Sequence, residues 1–108
     1  MILPADTIIA RPKLTHYLLR PREDHDKSGF LALAGYNQTE ADRLERDIRE
    51  QLLPLEALFI ETSLYGEKYL IRGPLTGPNG KTLQVVSVWM REIPSGVAKF
   101  VTLYPDRR

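Results

Sequence analysis

The sequence predicts a single α+β domain over residues 1–108, in which three short N-terminal helices pack on a four-stranded antiparallel β-meander. Apolar residues recur at helical spacing before Pro54 and alternate with polar residues after it. Gly-Pro-Asn-Gly at residues 77–80 is a strong turn signal, because Pro presets φ and Asn-Gly tolerates positive φ. A chain of 108 residues suffices for one core. We therefore expect a helical part at residues 1–54 and a sheet at residues 55–105.

The first predicted helix follows an irregular apolar stretch, residues 2–10, which we expect to pack as an extended arm. Pro12 suits the first turn of this helix, and Pro21 lies beyond its end. Leu14, Tyr17 and Leu18 share one side at helical spacing.

The second and third predicted helices have clear boundary signals. Residues 27–34 form the second, with Gly35 placed as a C-terminal cap. Asn37 begins the third, and Glu40, three residues later, completes a capping-box pattern. Pro54 ends the third helix, whose apolar stripe consists of Ala41, Leu44, Ile48 and Leu52.

The four predicted strands are separated by short turns, so consecutive strands should pair antiparallel. The turns fall at Tyr65-Gly66, at residues 77–80 and at Pro94-Ser95-Gly96. The strands are residues 56–62, 67–75, 81–91 and 98–104. Trp89 is expected in the core, with a base-stacking role as the alternative.

Side-chain alternation along these strands predicts a polar face. One arrangement places on it Lys68, Arg72, Thr82 or Gln84, Thr102 and Tyr104. Cations beside hydroxyls can hold a phosphate or another anion. An ordinary solvated sheet face has the same composition, and both interpretations stay open because the strand register is unknown.

Composition narrows the class of protein. There are 15 Lys and Arg against 14 Asp and Glu, a net charge of +1 that neither requires nor excludes a nucleic-acid partner. No cysteine is present, and the two histidines have no cluster of carboxylates at ligand spacing, so we predict no metal and no cofactor. The first residues do not resemble a signal peptide, and no apolar run reaches membrane-spanning length. These features predict a cytoplasmic protein without a membrane partner.

Candidate catalytic side chains can still be named, because metal-independent RNA cleavage needs a base, an acid and cations on the phosphate. His25 is the first candidate for acid or base, since an imidazole titrates near neutral pH. The alternative is a solvated loop histidine. Lys27 begins a helix, where a cation opposes the helix dipole, and this indicates a use beyond capping. Thr102 completes the predicted catalytic set, and Lys68, Arg72 and Tyr104 the predicted substrate-binding set.

Four segments resemble a family of small bacterial domains that occur alone and as C-terminal tips of polymorphic and contact-dependent-inhibition toxins. They are Lys13-Leu14-Thr15-His16-Tyr17-Leu18-Leu19-Arg20-Pro21; His25-Asp26-Lys27-Ser28-Gly29-Phe30 with Leu33-Ala34-Gly35-Tyr36; Leu75–Lys81 with Val85–Trp89; and Val101–Pro105. Several such domains resemble metal-independent ribonucleases of the barnase, EndoU, colicin and RelE-like fold group.

The resemblance implies a toxin-like endoribonuclease with N-terminal helices on a four-stranded sheet. It also implies RNA as the substrate and a small cognate antitoxin or immunity protein as a partner. Two alternatives remain: a non-catalytic protein-interaction module, and an antitoxin or immunity-type protein on the same fold. The near-zero net charge favours these alternatives over a tight RNA binder.

Overall fold

The computed structural model describes residues 1–21 and 27–107, and this part of the chain has helices before the sheet. The first helical segment is an α-helical turn, Arg11–Lys13 (α1), with Pro12 in its first turn; it continues as a π-helical turn, Leu14–Leu18. The second helix is Ser28–Ala32 (α2). The third, Ala41–Asp47 (α3), continues as a second π-helical segment, Ile48–Leu52.

The α+β class is confirmed, but the description of three short N-terminal helices is partly wrong. The third helix extends over seven α-helical and then five π-helical residues. An extended arm precedes all the helices. Its residue Ile8 forms a parallel bridge with Lys99: the Ile8 N–H donates to the Ala98 carbonyl at 2.9 Å, and the Ile8 carbonyl accepts from the Phe100 N–H at 2.8 Å. The arm therefore covers the outer edge of the last strand.

The predicted capping box is wrong, whereas the predicted glycine cap is confirmed. The Asn37 side chain accepts hydrogen bonds from the backbone N–H and hydroxyl of Thr39, and α3 begins only at Ala41. Asn37 forms a local turn with its own neighbours instead, a competing use of this side chain. Gly35 has φ +95°, and its N–H donates to Ala32 while the next N–H reaches back to Leu31, the pattern of a Schellman cap.

The sheet is a four-stranded antiparallel meander, as the turn signals predict. Its strands are Leu58–Ser63 (β1), Gly66–Thr76 (β2), Thr82–Arg91 (β3) and Ala98–Pro105 (β4), in that spatial order. The β2–β3 turn contains Gly80 with φ +85°, and the Asn79 side chain accepts from the Lys81 N–H at 2.9 Å. Because strand order follows chain order, β1 and β4 form the two edges.

One face of the sheet packs against the helices and forms the core. Trp89 is fully buried, as predicted; its ring meets Phe100 edge-on at 5.1 Å, and its indole N–H donates to the Ser87 hydroxyl at 2.8 Å. The helices contribute Leu14, Leu18, Leu31, Leu44, Ile48 and Leu52. None of the helices among the described residues is long and apolar enough to cross a membrane.

The tip of the β2–β3 hairpin lies directly against α2. A Cβ atom added at Gly77 would lie 2.2 Å from the Ala34 carbonyl oxygen, so glycine is required for this approach. The Asn79 N–H and side chain donate to the carbonyls of Ala34 and Leu33 at 3.2 and 3.1 Å. This contact holds the segment that follows α2 against the turn between β2 and β3.

Candidate functional site

The strand register decides which polar side chains share the outer face of the sheet. Arg72 of β2 pairs with Val86 of β3, which pairs with Tyr104 of β4. In the next same-face row, Val88 of β3 pairs with Thr102 of β4. Directly paired residues lie on the same side of a sheet, so Arg72, Thr102 and Tyr104 share one face. The register thus brings these three of the six predicted site residues into two neighbouring rows of one face.

Lys27 joins this surface from the helical side. Its ammonium donates a hydrogen bond to the Thr102 hydroxyl at 3.0 Å and another to the Tyr17 hydroxyl at 3.2 Å. The same nitrogen lies 5.1 Å from the centre of the Tyr17 ring and 6.0 Å from that of Tyr104, within the range of cation–π attraction. We call Lys27, Tyr17 and Thr102 the lysine cluster. It is partly buried and gathers one positive charge and two hydroxyls at a single point.

The lysine cluster adjoins a cleft of about 840 Å³, the main cleft. One wall comes from the α2 region and the other from β2, β3 and the end of β4. Its lining residues are Lys27, Gly29, Phe30, Leu33, Arg72, Val86, Tyr104, Pro105, Asp106 and Arg107. Arg72 forms an ion pair with Asp106 at 3.0 Å between its Nη1 and the carboxylate Oδ1. Cations, hydroxyls and aromatic rings therefore line one concave surface, which suits a phosphate attached to an aromatic base.

Two of the six predicted site residues remain to be accounted for, His25 and Lys68. His25 lies outside the described residues, so its assignment stays a prediction. Lys68 lies on the same sheet face as Arg72, but its β3 partner is Met90 rather than Val86. At strand spacing it is about 13 Å along β2 from Arg72. It does not line the main cleft.

Tyr17 is the residue of the cluster that the sequence prediction missed. Its place on the apolar side of the first helix indicated a core role, and the ring is partly buried against the core as that pattern suggests. The hydroxyl nevertheless reaches Lys27 at 3.2 Å. The available signal was that Tyr17 belongs to one of the segments that carry the family resemblance.

A second polar cluster, which the sequence prediction also missed, is centred on two buried side chains, Tyr36 and Asp47. The Tyr36 hydroxyl donates to the Asp47 carboxylate at 2.6 Å, and Arg43 donates to the same carboxylate at 2.9 Å. Tyr36 and Asp47 are 1% and 3% exposed. Burial, followed by the hydrogen bond to Asp47, raises the pKa of the Tyr36 phenol above its ordinary value. We call Tyr36, Asp47 and Arg43 the interior cluster.

A metal site is not evident in the described part of the chain. No three His, Asp or Glu side chains come together there in a group that could hold an ion. The cations of the main cleft are supplied by Lys and Arg side chains instead.

The chain is similar to known proteins both in its fold and in its family. No curated protein matches the chain. Among solved structures, a chain of a contact-dependent growth inhibition toxin–immunity protein complex from Klebsiella pneumoniae 342 is similar, with 18% sequence identity and a TM-score of 0.62. The alignment covers 96% of this chain and 97% of that one. At this identity the likeness shows a shared fold alone. A family model described as "Domain of unknown function (DUF6883)" matches residues 5–107, and the chain therefore belongs to the DUF6883 family.

Proposed function

We propose that this domain is a toxin-type endoribonuclease that cleaves RNA by acid–base catalysis without a metal ion. The observation that carries the proposal is the lysine cluster, in which one ammonium meets the Thr102 hydroxyl at 3.0 Å and the Tyr17 hydroxyl at 3.2 Å. This cluster opens onto a cleft that also contains Arg72 and Tyr104. The fold likeness to a chain of a toxin–immunity complex supports the toxin assignment, as do the toxin-like sequence segments.

The proposed reaction is transfer of the phosphoryl group within the RNA chain. The 2′-oxygen attacks phosphorus while its proton passes to a base, and the bond to the 5′-oxygen breaks as that oxygen receives a proton from an acid. The products are a 2′,3′-cyclic phosphate and a 5′-hydroxyl. Lys27 and Arg72 would stabilise the charge that develops on the phosphoryl oxygens, and Thr102 would hold one of those oxygens. Tyr104 would position the neighbouring base, and His25 remains the predicted acid or base. Because the side chains provide the cations, a metal ion is not needed.

A cognate protein is the second part of the proposal. A domain that cleaves RNA inside its producing cell requires an inhibitor, and an antitoxin or immunity protein would meet this need. Carboxylates of such a partner would complement Lys27, Arg72 and Arg107 in the main cleft.

A non-catalytic interaction module, or an immunity-type protein, is the second candidate function. All six residues of this edge strand, β1, are exposed, and its three apolar residues Leu58, Phe59 and Ile60 are 52%, 54% and 44% exposed. Exposed apolar residues on an edge strand are typical of surfaces that bind another protein. The similar structure is described as a complex of a toxin with an immunity protein, so the likeness in fold is compatible with a toxin role and with an immunity role.

Cleavage of RNA by the purified protein tests the proposal. We expect wild-type protein to cut single-stranded RNA in the presence of a chelator, and Lys27→Ala to slow cleavage about a hundredfold or more. Lys81→Ala is the matched control, because Lys81 is an exposed lysine at the β2–β3 tip that lines none of the described grooves. Thermal unfolding verifies that both variants fold. A folded wild-type protein that does not cut RNA and does not slow bacterial growth on expression would favour the interaction module.

A further inference from the structure

Two further grooves follow β4 away from the main cleft. The middle groove, about 410 Å³, is lined by Ala10, Pro12, Lys13, Tyr17, Val101 and Thr102. The far groove, about 510 Å³, also contains Lys13 and Val101 and adds Tyr65 and Lys99. Neither groove is explained by a single phosphate site at Lys27.

The three grooves are neighbours along the domain. Lys13 and Val101 belong to both the middle and the far groove, so these two meet along shared walls. Tyr17 and Thr102 form the other end of the middle groove, and both accept hydrogen bonds from Lys27, which lines the main cleft. The lysine cluster therefore stands where the middle groove meets the main cleft.

Positive charge is concentrated along this path. The main cleft and the middle and far grooves together contain five cationic side chains and two carboxylates, whereas the whole chain has 15 Lys and Arg against 14 Asp and Glu. Both carboxylates are already in ion pairs: Asp106 with Arg72 and Glu92 with Lys99, each at 3.0 Å. The cations are Lys13, Lys27, Arg72, Lys99 and Arg107. A polyanion lying along the path would meet a cation in every groove.

Each groove also contains at least one aromatic ring beside its cations. Tyr65, 78% exposed, lines the far groove and Tyr17 the middle one. Phe30 and Tyr104 line the main cleft. Rings interleaved with cations are typical of surfaces that bind single-stranded nucleic acid, because each base can stack while its phosphate is neutralised. An acidic polypeptide would use the cations but would have little use for the rings.

We infer that the three grooves form one track for single-stranded RNA, in which Lys13 binds a phosphate beyond the one at the lysine cluster. This inference rests on the proposed function, since it extends the same substrate on the far side of the scissile bond. The residue that this inference adds to the proposed binding site is Lys13, an exposed lysine that lines both the middle and the far groove. The bases must leave a duplex to reach the rings, so the expected substrate is unpaired.

Binding of RNA oligonucleotides of two lengths tests the track. The 2′-hydroxyls are methylated so that the oligonucleotides cannot be cleaved, and binding is followed by fluorescence anisotropy. We expect an oligonucleotide of about eight nucleotides to bind wild-type protein more tightly than one of about two. Lys13→Ala should weaken binding of the longer one about tenfold, the effect of losing one charge-assisted contact, and leave the shorter one unchanged. Tyr65→Ala should also weaken binding of the longer oligonucleotide only. Lys81→Ala, which removes a positive charge outside the grooves, should change the binding of neither oligonucleotide.

The outcomes separate the track from the proposed function. The track would be overturned if both oligonucleotides bound equally tightly, or if Lys13→Ala and Lys81→Ala weakened binding equally. In that case, weaker binding of the short oligonucleotide by Lys27→Ala would still support the phosphate site at the lysine cluster. No effect of Lys27→Ala on either length would remove the proposed function and the track with it. A polyglutamate peptide that binds as tightly as the long RNA, with the same dependence on Lys13, would assign the grooves to an acidic polypeptide. Thermal unfolding of Lys13→Ala and Tyr65→Ala serves as the folding control.

Discussion

The lysine cluster and the interior cluster use similar chemical groups in opposite surroundings. Each contains a tyrosine hydroxyl, a cation and one further oxygen-bearing side chain. In the interior cluster the Tyr36 hydroxyl and the Asp47 carboxylate are 2.6 Å apart and almost completely buried. In the lysine cluster the Tyr17 hydroxyl and the Lys27 ammonium are 3.2 Å apart and adjoin open grooves.

Access to solvent, rather than residue type, separates a structural cluster from a candidate binding site in this protein. Inside the protein a carboxylate must be hydrogen-bonded, and Tyr36 with Arg43 satisfies Asp47 there. Such a cluster stabilises the fold and has no room for a ligand. Beside the grooves, water or a phosphate can replace each hydrogen bond of Lys27, so the lysine cluster should contribute little to stability and much to binding.

The largest expected effect on stability is that of removing the interior carboxylate. Asp47→Ala should lower the free energy of unfolding by about 3 kcal/mol, because the buried Tyr36 hydroxyl keeps only the Thr76 carbonyl oxygen, at 3.4 Å, as an acceptor and Arg43 loses its partner. Urea denaturation measures this. Asp42→Ala is the control on the same helix: its ion pair with Arg11 is exposed on both sides, so the urea midpoint should not move. Equal losses in the two variants would show that the interior cluster is not structural.

The next largest effect on stability is expected from removing the tyrosine hydroxyl of each cluster in turn. Tyr36→Phe should lower the free energy of unfolding by about 1–3 kcal/mol, because it leaves the buried carboxylate short of one donor. Tyr17→Phe should cost less than about 1 kcal/mol, since water can serve Lys27 in its place. We expect RNA binding to fall in Tyr17→Phe and not in Tyr36→Phe. The comparison would be wrong if Tyr17→Phe were the more destabilising of the two.

The smallest expected effect is a dependence on alkaline pH. The pKa of Tyr36 is raised by burial in the folded state, whereas an unfolded tyrosine releases its proton near pH 10. The stabilisation is therefore complete below about pH 10 and decreases as the pH rises beyond it, by about 1 kcal/mol over the first pH unit. Other side chains also lose protons in this pH range, in the wild type and in the variant alike. The measurement is thus the difference in unfolding free energy between wild type and Tyr36→Phe, which should shrink above about pH 10. A constant difference would contradict the assignment.

The sheet was predictable because its signals are local. The turn at residues 77–80 depends on Pro78, Asn79 and Gly80 alone, and alternation along β2 and β4 depends on residues two positions apart. The helix boundaries were less predictable, because Asn37 had two local uses and its bonds to Thr39 prevailed over capping α3. The end of the third helix was predictable, because its apolar stripe continues to Leu52 and Pro54 follows, but no local pattern records its change from α-helical to π-helical hydrogen bonding at Ile48.

The candidate site was predictable in part. Alternation placed Arg72 on one face of β2, and Thr102 with Tyr104 on one face of β4, without saying that the two faces were the same. The register through Val86 and Val88 decided this. Lys68 has the same alternation as Arg72 but lies further along the strand, a distinction that the sequence pattern cannot make.

Local sequence signals were enough to predict the class of the fold, the order of its strands, the turns between them and the burial of Trp89. These follow from backbone conformational preferences and hydrophobic periodicity, which act over a few residues. The meeting of Lys27 with Thr102, which is 75 positions away in the chain, and with Tyr17 has no such local signal. That meeting depends on how α2 packs against the β2–β3 tip and how the register aligns β4. Both are set by the shape of the whole core, to which every buried side chain contributes.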